Sequence, residues 1–492
     1  MSRIRIGALA PPVLCGLLLT ACTGSRPHVL DERMPARGMP TLFQRVSYFD
    51  SREGRLEKNK DVLVEDGRIR QIAEGGTLQC TGTAMYCVEG TGKTLLPGLI
   101  DAHTHLGVGG GEAVWAINLF DLPNDIEAQA ESLLYAGITT AVVASGDDHR
   151  VFSLAERIHQ GGFPGPELLI ATRQMTTPGG HPSELKSWID RGGIWSVLLS
   201  MQPPGYVEVA PGQAMSAVKE QFDGNKHPSF LKISFDEEAN THPVDLEETK
   251  AIVRALVDAG HAQGVPVLAH VGSRDEFLEA WRARADMLMH PPRSGPPLSE
   301  ADIAPLAEAH VPIVTTARVY KVIARALSGP LSFSSFEKEL LPPGADRPFL
   351  AGPDLRDYPK LNPTTPFLLE RGGLLIERNL QSLYAGGALL VAGSDTGVPG
   401  MIPGAALHEE LAALVALGIP PAQVLQMATF NSAQALGRML HREGPAGEIA
   451  EKLPADLLLV EGDPTQDISA TKRILGVWKG GRYVQRKVTS GR

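Results

Sequence analysis

The 492-residue chain is 43% apolar and 21% charged, proportions ordinary for a folded globular protein and a length too great for one small core. Its formal net charge of -10, with no clustered Lys/Arg block, argues against a nucleic-acid partner. At the N-terminus Arg3 and Arg5 lead an apolar stretch from Ile6 to Leu19 that small residues follow. That is the form of a removable secretory signal over residues 1–22, and it is too short to span a membrane as a mature helix.

Leu19-Thr20-Ala21-Cys22 resembles the bacterial lipobox, which implies that Cys22 carries lipid and becomes the first residue after cleavage. An ordinary secretory peptide that happens to contain Cys22 is the alternative. Thr23 follows, not the aspartate that signals retention at the inner membrane. The expected location is the bacterial cell envelope, lipid-anchored at the outer membrane and facing the periplasm, with the lipid as the only membrane contact. Residues 23–41, rich in Pro, Arg and Ser, read as a tether.

Residues 42–94 show short alternating runs with Gly turns, and Asp66-Gly67 between two of them is a strong hairpin signal. The same texture returns over residues 437–488, so the two ends are expected to build one small β-sandwich domain. Cys80 and Cys87 lie in the first part. Outside the cytosol a lone nearby pair usually means a disulfide; two free buried thiols are the plainer alternative, and a metal pair has no other local Cys or His to support it.

Between these ends, residues 95–436 alternate apolar runs with amphipathic helical stretches, the pattern of parallel strands joined by crossover helices. Eight runs stand out, near 95–100, 139–144, 167–171, 230–234, 265–270, 286–290, 311–316 and 388–394, the count for a (β/α)8 TIM barrel in an α/β fold. The clearest helix runs from Leu246 to Gln263, opened by Asp245 with Glu248 and ended by Gly264. A doubly wound open sheet is the alternative, although no Gly-rich phosphate-binding turn follows the first run.

The chemistry-bearing residues sit where those strands end. His103 and His105 close Gly98-Leu99-Ile100-Asp101-Ala102-His103-Thr104-His105, two residues apart, so a strand projects them to one face. Lys232 lies on the fourth run, His270 on the fifth, His290 on the sixth, and Asp395 follows the eighth. Singly each has a plainer reading: a structural His, a snorkelling Lys, a capping Asp. Six such residues at the same ends of several strands point to a metal site.

With these residues the chain resembles the amidohydrolase superfamily, in its imidazolonepropionase-like and Xaa-Pro dipeptidase-like branch. The likeness includes residues 97–106, Ala136-Gly137-Ile138-Thr139-Thr140, Met427-Ala428-Thr429-Phe430-Asn431-Ser432-Ala433 and residues 455–464. It implies two divalent metal ions, with His103, His105 and Asp395 on one, His270 and His290 on the other, and a carbamylated Lys232 as bridge. Nitrogen and oxygen donors without sulfur suit zinc, with manganese, iron or cobalt as the alternatives. Met289 stands before His290 where many relatives have glutamate.

The activity so implied is metal-dependent hydrolysis of a carbon–nitrogen bond, an amide in a small peptide or N-acyl amino acid, with Asp395 as the proton shuttle. A one-metal cyclic-amide hydrolase or deaminase and a non-enzymatic envelope lipoprotein are the alternatives. His181, in Thr176-Thr177-Pro178-Gly179-Gly180-His181, and Arg318 and Tyr320 after the seventh run are candidate substrate contacts. The long segment 327–366 reads as a cover or subunit contact. A homo-oligomer is expected only from the family's habit.

Overall fold

The computed structural model describes residues 39–81, 85–106, 126–145, 149–184, 205–223, 227–236, 245–341, 364–398, 400–442 and 444–486. Cys22, the signal stretch and the tether up to residue 38 lie outside them, as do residues 342–363 of the long segment after the seventh run. No helix of the described residues is long and apolar enough to cross a membrane.

The chain opens with β1 (Thr41–Asp50), β2 (Arg55–Glu65), β3 (Arg68–Glu74), β4 (Tyr86–Glu89) and β5 (Lys93–Pro97). The central part carries β6 (Leu99–Thr104), β7 (Ile138–Val143), β8 (Glu167–Ile170), β9 (Gln174–Thr176), β10 (Tyr206–Glu208), β11 (Leu231–Phe235), β12 (Val267–Val271), β13 (Met287–Leu288), β14 (Ile313–Val314) and β15 (Leu390–Val391). Then come β16 (Leu457–Glu461), β17 (Ile474–Lys479) and β18 (Arg482–Val484). Helices α1 (Ile126–Tyr135), α2 (His149–His159), α3 (Ala214–Phe222), α4 (Leu246–Ala262), α5 (Arg274–Arg282), α6 (Glu300–Ala309), α7 (Val319–Ser328), α8 (Ser335–Leu340), α9 (Thr365–Ala385), α10 (Ala405–Ala416), α11 (Pro421–Met427) and α12 (Phe430–Met439) alternate with the central strands. Asp245 caps α4 by accepting from the Glu247 and Glu248 amides, and Gly264, at φ +71°, follows its end.

Both ends of the chain do meet in one sheet, ordered β18-β17-β16-β5-β1-β2-β3 with β4 on β1. Hydrogen bonding makes this one continuous sheet that curls back on itself. Its edges come together where Arg68 bridges Pro454, Ala455 N donates to Gly67 O and Gly481 N donates to Ala455 O. Phe43, Val62, Ile69, Leu95, Leu457 and Trp478 fill the space inside the curl, with Phe43 and Trp478 edge-to-face at 4.7 Å. Cys80 and Cys87 are joined as a disulfide, with Cα atoms 6.1 Å apart.

The central strands are all parallel and nearly all buried, as strands covered on both faces must be. Alternation decides which side chains face inward. Leu231, Ile233 and Phe235 of β11, and Val267, Ala269 and Val271 of β12, join the core shared with the helices. Phe230 and Leu268 belong to a separate inner cluster, and by period two Lys232 and His270 fall on that same inner side. Burying each large apolar side chain contributes about 1.5–3 kcal/mol, so the outer set fixes the inner set's register.

Two central sheets are formed, β10-β9-β11-β12-β13-β14-β15 and β6-β7-β8, and hydrogen bonds continue across both seams. At one, Ala171 bridges Phe230 and Thr172 N donates to Phe230 O. At the other, Ala102 N donates to Ala392 O, Asp395 N to His103 O and His105 N to Thr396 O. The eight expected runs thus follow one another in a cyclic order. β9 and β10 are additional strands that the sequence reading did not contain.

One boundary moves. The expected first central run, 95–100, is split: β5 pairs with β1 and β16 in the terminal sheet, and β6 begins the central one. Gly98 makes the switch. Its N–H donates to Asp456 O, whereas the next amide, Leu99, donates to Gly137 O. A Cβ at Gly98 would lie 2.1 Å from Thr139 Oγ1, so only glycine lets the strand pass this close.

Candidate metal centre

β6 and the turn after β15 build the first half of the centre. The backbone bonds at that seam pin Asp395, which sits at φ +56°, beside His103 of β6 and His105 just past its end. His103 Nε2 and His105 Nε2 are 3.2 Å apart, and Asp395 Oδ1 lies 3.3 Å from the first and 3.2 Å from the second. Three electron-pair donors aimed at one point repel unless a cation or shared proton lies between them; the donor set fits a divalent ion.

Burial, then the nearby Lys232 charge, holds the His103 imidazole well below its usual pKa. Burial and then His270 do the same for His290. His270 is pushed down to about 3 by burial and by His181. These rings are therefore neutral, with lone pairs available to a metal. Burial opposes charge on Asp395, but the bond from His105 and the neighbouring His290, His105 and Lys232 outweigh it and hold the carboxyl below its ordinary range.

The other three expected ligand positions surround this trio or each other. Lys232, 1% exposed, faces the cavity from β11, and its charge bears on His103, His270, His290 and Asp395. The His290 ring centroid lies 4.9 Å from that of His103 and 4.7 Å from that of His270, and its Nε2 lies 4.0 Å from Asp395 Oδ2. His270, however, groups most closely with His181 and Asp236. Its Nε2 is 3.4 Å from Asp236 Oδ2, and its ring stacks on His181 at 4.4 Å.

Asp236 is the main residue that the sequence reading missed. It extends the period-two series Lys232, Ser234, Asp236 by one step past β11, the same spacing that singled out His103 and His105. Arg293 and the His270 bond keep Asp236 ionised, well below the usual carboxylate range despite burial. Asp101 was also missed. Its carboxylate accepts from His103 N, Ser394 N and Ser394 Oγ, tying the first ligand strand to the Asp395 turn, and burial pushes it up to about 7.

Of the candidate substrate contacts, His181 and Tyr320 line the cavity and Arg318 does not. His181 Nδ1 is 2.6 Å from Glu184 Oε1, an orienting contact that leaves Nε2 for other partners. Tyr320 lies edge-on to His290 at 6.3 Å, beneath the Arg293 guanidinium at 5.6 Å, and burial raises its phenol pKa. Arg318 occupies the N-cap position of α7, and its backbone amide donates to Glu410 Oε2.

The cavity over these residues measures about 710 Å³ and is walled by α7 and α9. A larger crevice of about 2190 Å³ lies against the terminal sheet, beside Glu167, Ser229, Lys479 and Tyr483. It holds neither of the two ligand groups found among the described residues. Size alone therefore misplaces the site, and the convergence of donors locates it.

The sequence profile of the amidohydrolase family matches residues 94–484. Imidazolonepropionase of Micrococcus luteus is 26% identical over 277 residues, which cover 52% of this chain and 61% of that enzyme, so the match spans about three fifths of the relative's own length. A D-hydantoinase of Streptomyces coelicolor is 30% identical over 21% of this chain and 20% of its own. Among solved structures, a Xaa-Pro dipeptidase with methionine bound in its active site superposes with a TM-score of 0.68 at 20% identity, over 91% of this chain and 100% of that one. A putative prolidase from Bifidobacterium longum gives 0.65 at 22% identity, over 91% and 95%. These structural likenesses concern the fold.

Proposed function

The chain belongs to the amidohydrolase family, and from that premise we propose that it hydrolyses an amide bond in a dipeptide or N-acyl amino acid with the help of two bound divalent ions, zinc being the first choice. The observation that carries the reading is the convergence of His103 Nε2, His105 Nε2 and Asp395 Oδ1 within 3.3 Å of one another at the floor of a cavity. The cyclic order of the eight parallel strands supports reading them as a closed (β/α)8 barrel whose C-terminal strand ends carry the site.

His103, His105 and Asp395 would hold one ion, His270 and His290 the other. Lys232 would bridge them as a carbamate, since an ammonium beside two dications is repelled whereas an anionic carbamate is attracted to both. The bound ions supply Lewis acidity and a water that ionises near neutral pH. Asp395, whose Oδ1 faces His103 and His105, would use Oδ2 to take a proton from the attacking water and pass it to the leaving nitrogen. Tyr320 and His181 contact the substrate from the cavity wall. The Cys22 lipid anchor and a periplasmic-side location complete the proposal.

A one-ion cyclic-amide hydrolase is the second reading. The tight grouping of the first donor trio favours a single ion, and the relatives named imidazolonepropionase and D-hydantoinase favour a cyclic-amide substrate whatever the ion count. Metal content per chain, measured with intact mass, separates the two. Two ions and a carbon dioxide adduct on Lys232, both lost in Lys232→Ala, support the bridged pair; one ion that survives the change supports the second reading.

A further inference from the structure

Hydrogen bonds link a residue outside the cavity lining to the segment that touches one of the cavity's histidines. Glu410 lies on α10, fully buried, and does not line the cavity. Its Oε1 accepts from Thr315 Oγ1 and Ala317 N, both at 2.7 Å, and its Oε2 accepts from Arg318 N at 3.2 Å. These donors flank Thr316 on both sides. Thr316 itself is forced to φ +41°, a conformation that costs a β-branched residue on the order of 1–3 kcal/mol. In that conformation its Oγ1 stands 2.9 Å from His290 Nδ1.

We propose that Glu410 is a positioning residue for His290: by folding residues 315–318 around its carboxylate, it aims the Thr316 hydroxyl so that His290 keeps its proton on Nδ1 and leaves Nε2 bare toward the cavity. An imidazole can offer Nε2 to a cation only in that tautomer, and the partner of Nδ1 decides the matter. Thr316 Oγ1 accepts the Nδ1 hydrogen and keeps its own hydrogen for another acceptor. A carboxylate suits this task because it can accept all three bonds at once, while a glutamine in its place would turn an N–H toward one of the donors. Burial pushes Glu410 up to about 7 even against those donors, a cost that a purely apolar packing residue would not carry.

The metal consequence rests on the proposed function, but the tautomer does not. The experiment uses the full folded chain, selectively labelled with 15N-histidine, and compares wild type with Glu410→Gln, Thr315→Val, Thr316→Val, Thr316→Ser and the double change Glu410→Gln/Thr316→Val. His290 is assigned by its loss in His290→Gln. In metal-free protein, Glu410→Gln, Thr315→Val and Thr316→Val should each turn a single Nδ1–H tautomer into a mixture, while Thr316→Ser keeps it. Zinc titration against a competing chelator should show the weaker ion lost about 10–100-fold more readily in the same three variants. The double change should be no worse than Thr316→Val alone. A wild-type tautomer in Thr316→Val or Thr315→Val, or full additivity in the double change, overturns the proposal, and Thr315→Val decides the matter even if Glu410→Gln fails to fold. A chain that shows the tautomer shift but binds no zinc would refute the metal reading and leave the positioning role standing.

Discussion

Arg293 places Nη2 2.7 Å from each carboxylate oxygen of Asp236, and Asp236 Oδ2 stands 3.4 Å from His270 Nε2. The guanidinium thus occupies the acid that would otherwise complete a three-donor set with His181 and His270. Asp236 is buried to 2% side-chain exposure, so removing its partner leaves an uncompensated charge in a low-dielectric setting. Arg293→Met should lower the unfolding free energy of the metal-free protein by about 3–5 kcal/mol in urea titration, and adding Asp236→Asn should recover most of the loss. A single variant as stable as wild type would show that the pair is not what holds the β11 end in place.

Asp395 has two tasks in the proposed reaction, and Asp395→Asn separates them in part. The amide oxygen keeps a donor toward the metal but cannot carry the proton to the leaving nitrogen. Turnover should fall by about 10²–10⁴-fold at matched metal content, with KM changed only a few-fold, as steady-state kinetics on a dipeptide or N-acyl amino acid would read. Loss confined to KM would remove Asp395 from the shuttle role.

His408 links α10 to the rest of the fold far from the metal centre, with Nε2 2.8 Å from Ala136 O and Nδ1 3.0 Å from Thr471 Oγ1. Burial first, against the Ala136 bond, pushes its pKa down to about 4. The folded ring is neutral, so between about 6.5 and 4 the unfolded chain binds the extra proton. Stability therefore falls as pH drops through that window, by roughly 3 kcal/mol at full effect. Thermal unfolding of metal-free wild type should lose midpoint more steeply from pH 7 to pH 4.5 than His408→Gln does; parallel curves would contradict the assignment.

Gly98→Ala tests the close passage at the sheet switch. The added methyl would meet Thr139 Oγ1 at 2.1 Å and Cγ2 at 2.4 Å, contacts that some movement of β6 or β7 must relieve. A loss of about 1–3 kcal/mol is expected in denaturant titration, with Thr139→Ala restoring a good part of it. Equal stability of Gly98→Ala and wild type would mean that the strands part at no cost.

What could be read from the sequence followed regular periods. The His103/His105 spacing, the strand carrying Lys232 and the helix from Leu246 are all period-two or period-3.6 signals, and the structure places His103 and Lys232 in strands, His105 one residue past β6 and Leu246 at the start of a helix. Asp236 obeyed the same rule and lies one residue beyond its strand, as His105 does, but it opens the acidic run Asp236-Glu237-Glu238, which hides the alternation in the sequence. Glu410 and Arg293 carried no local signal, because their partners are 95 and 57 residues away. Arg318 follows a strand as a site residue would, yet it is absent from the cavity lining, and the bond from its amide to Glu410 on α10 is tertiary and carries no local signal. The split at Gly98 was hidden because one continuous apolar run serves two sheets.

That split also has a mechanical meaning. A hinge needs a few residues whose torsions are free to turn, yet here neighbouring amides on either side of the junction are each clamped to a different sheet. The terminal sheet is in effect a handle welded to the strand that ends in His103 and His105. Gly98 is thus a rigid joint, and the terminal sheet cannot swing relative to the strand that leads to His103 without breaking one of the two bonds that flank it.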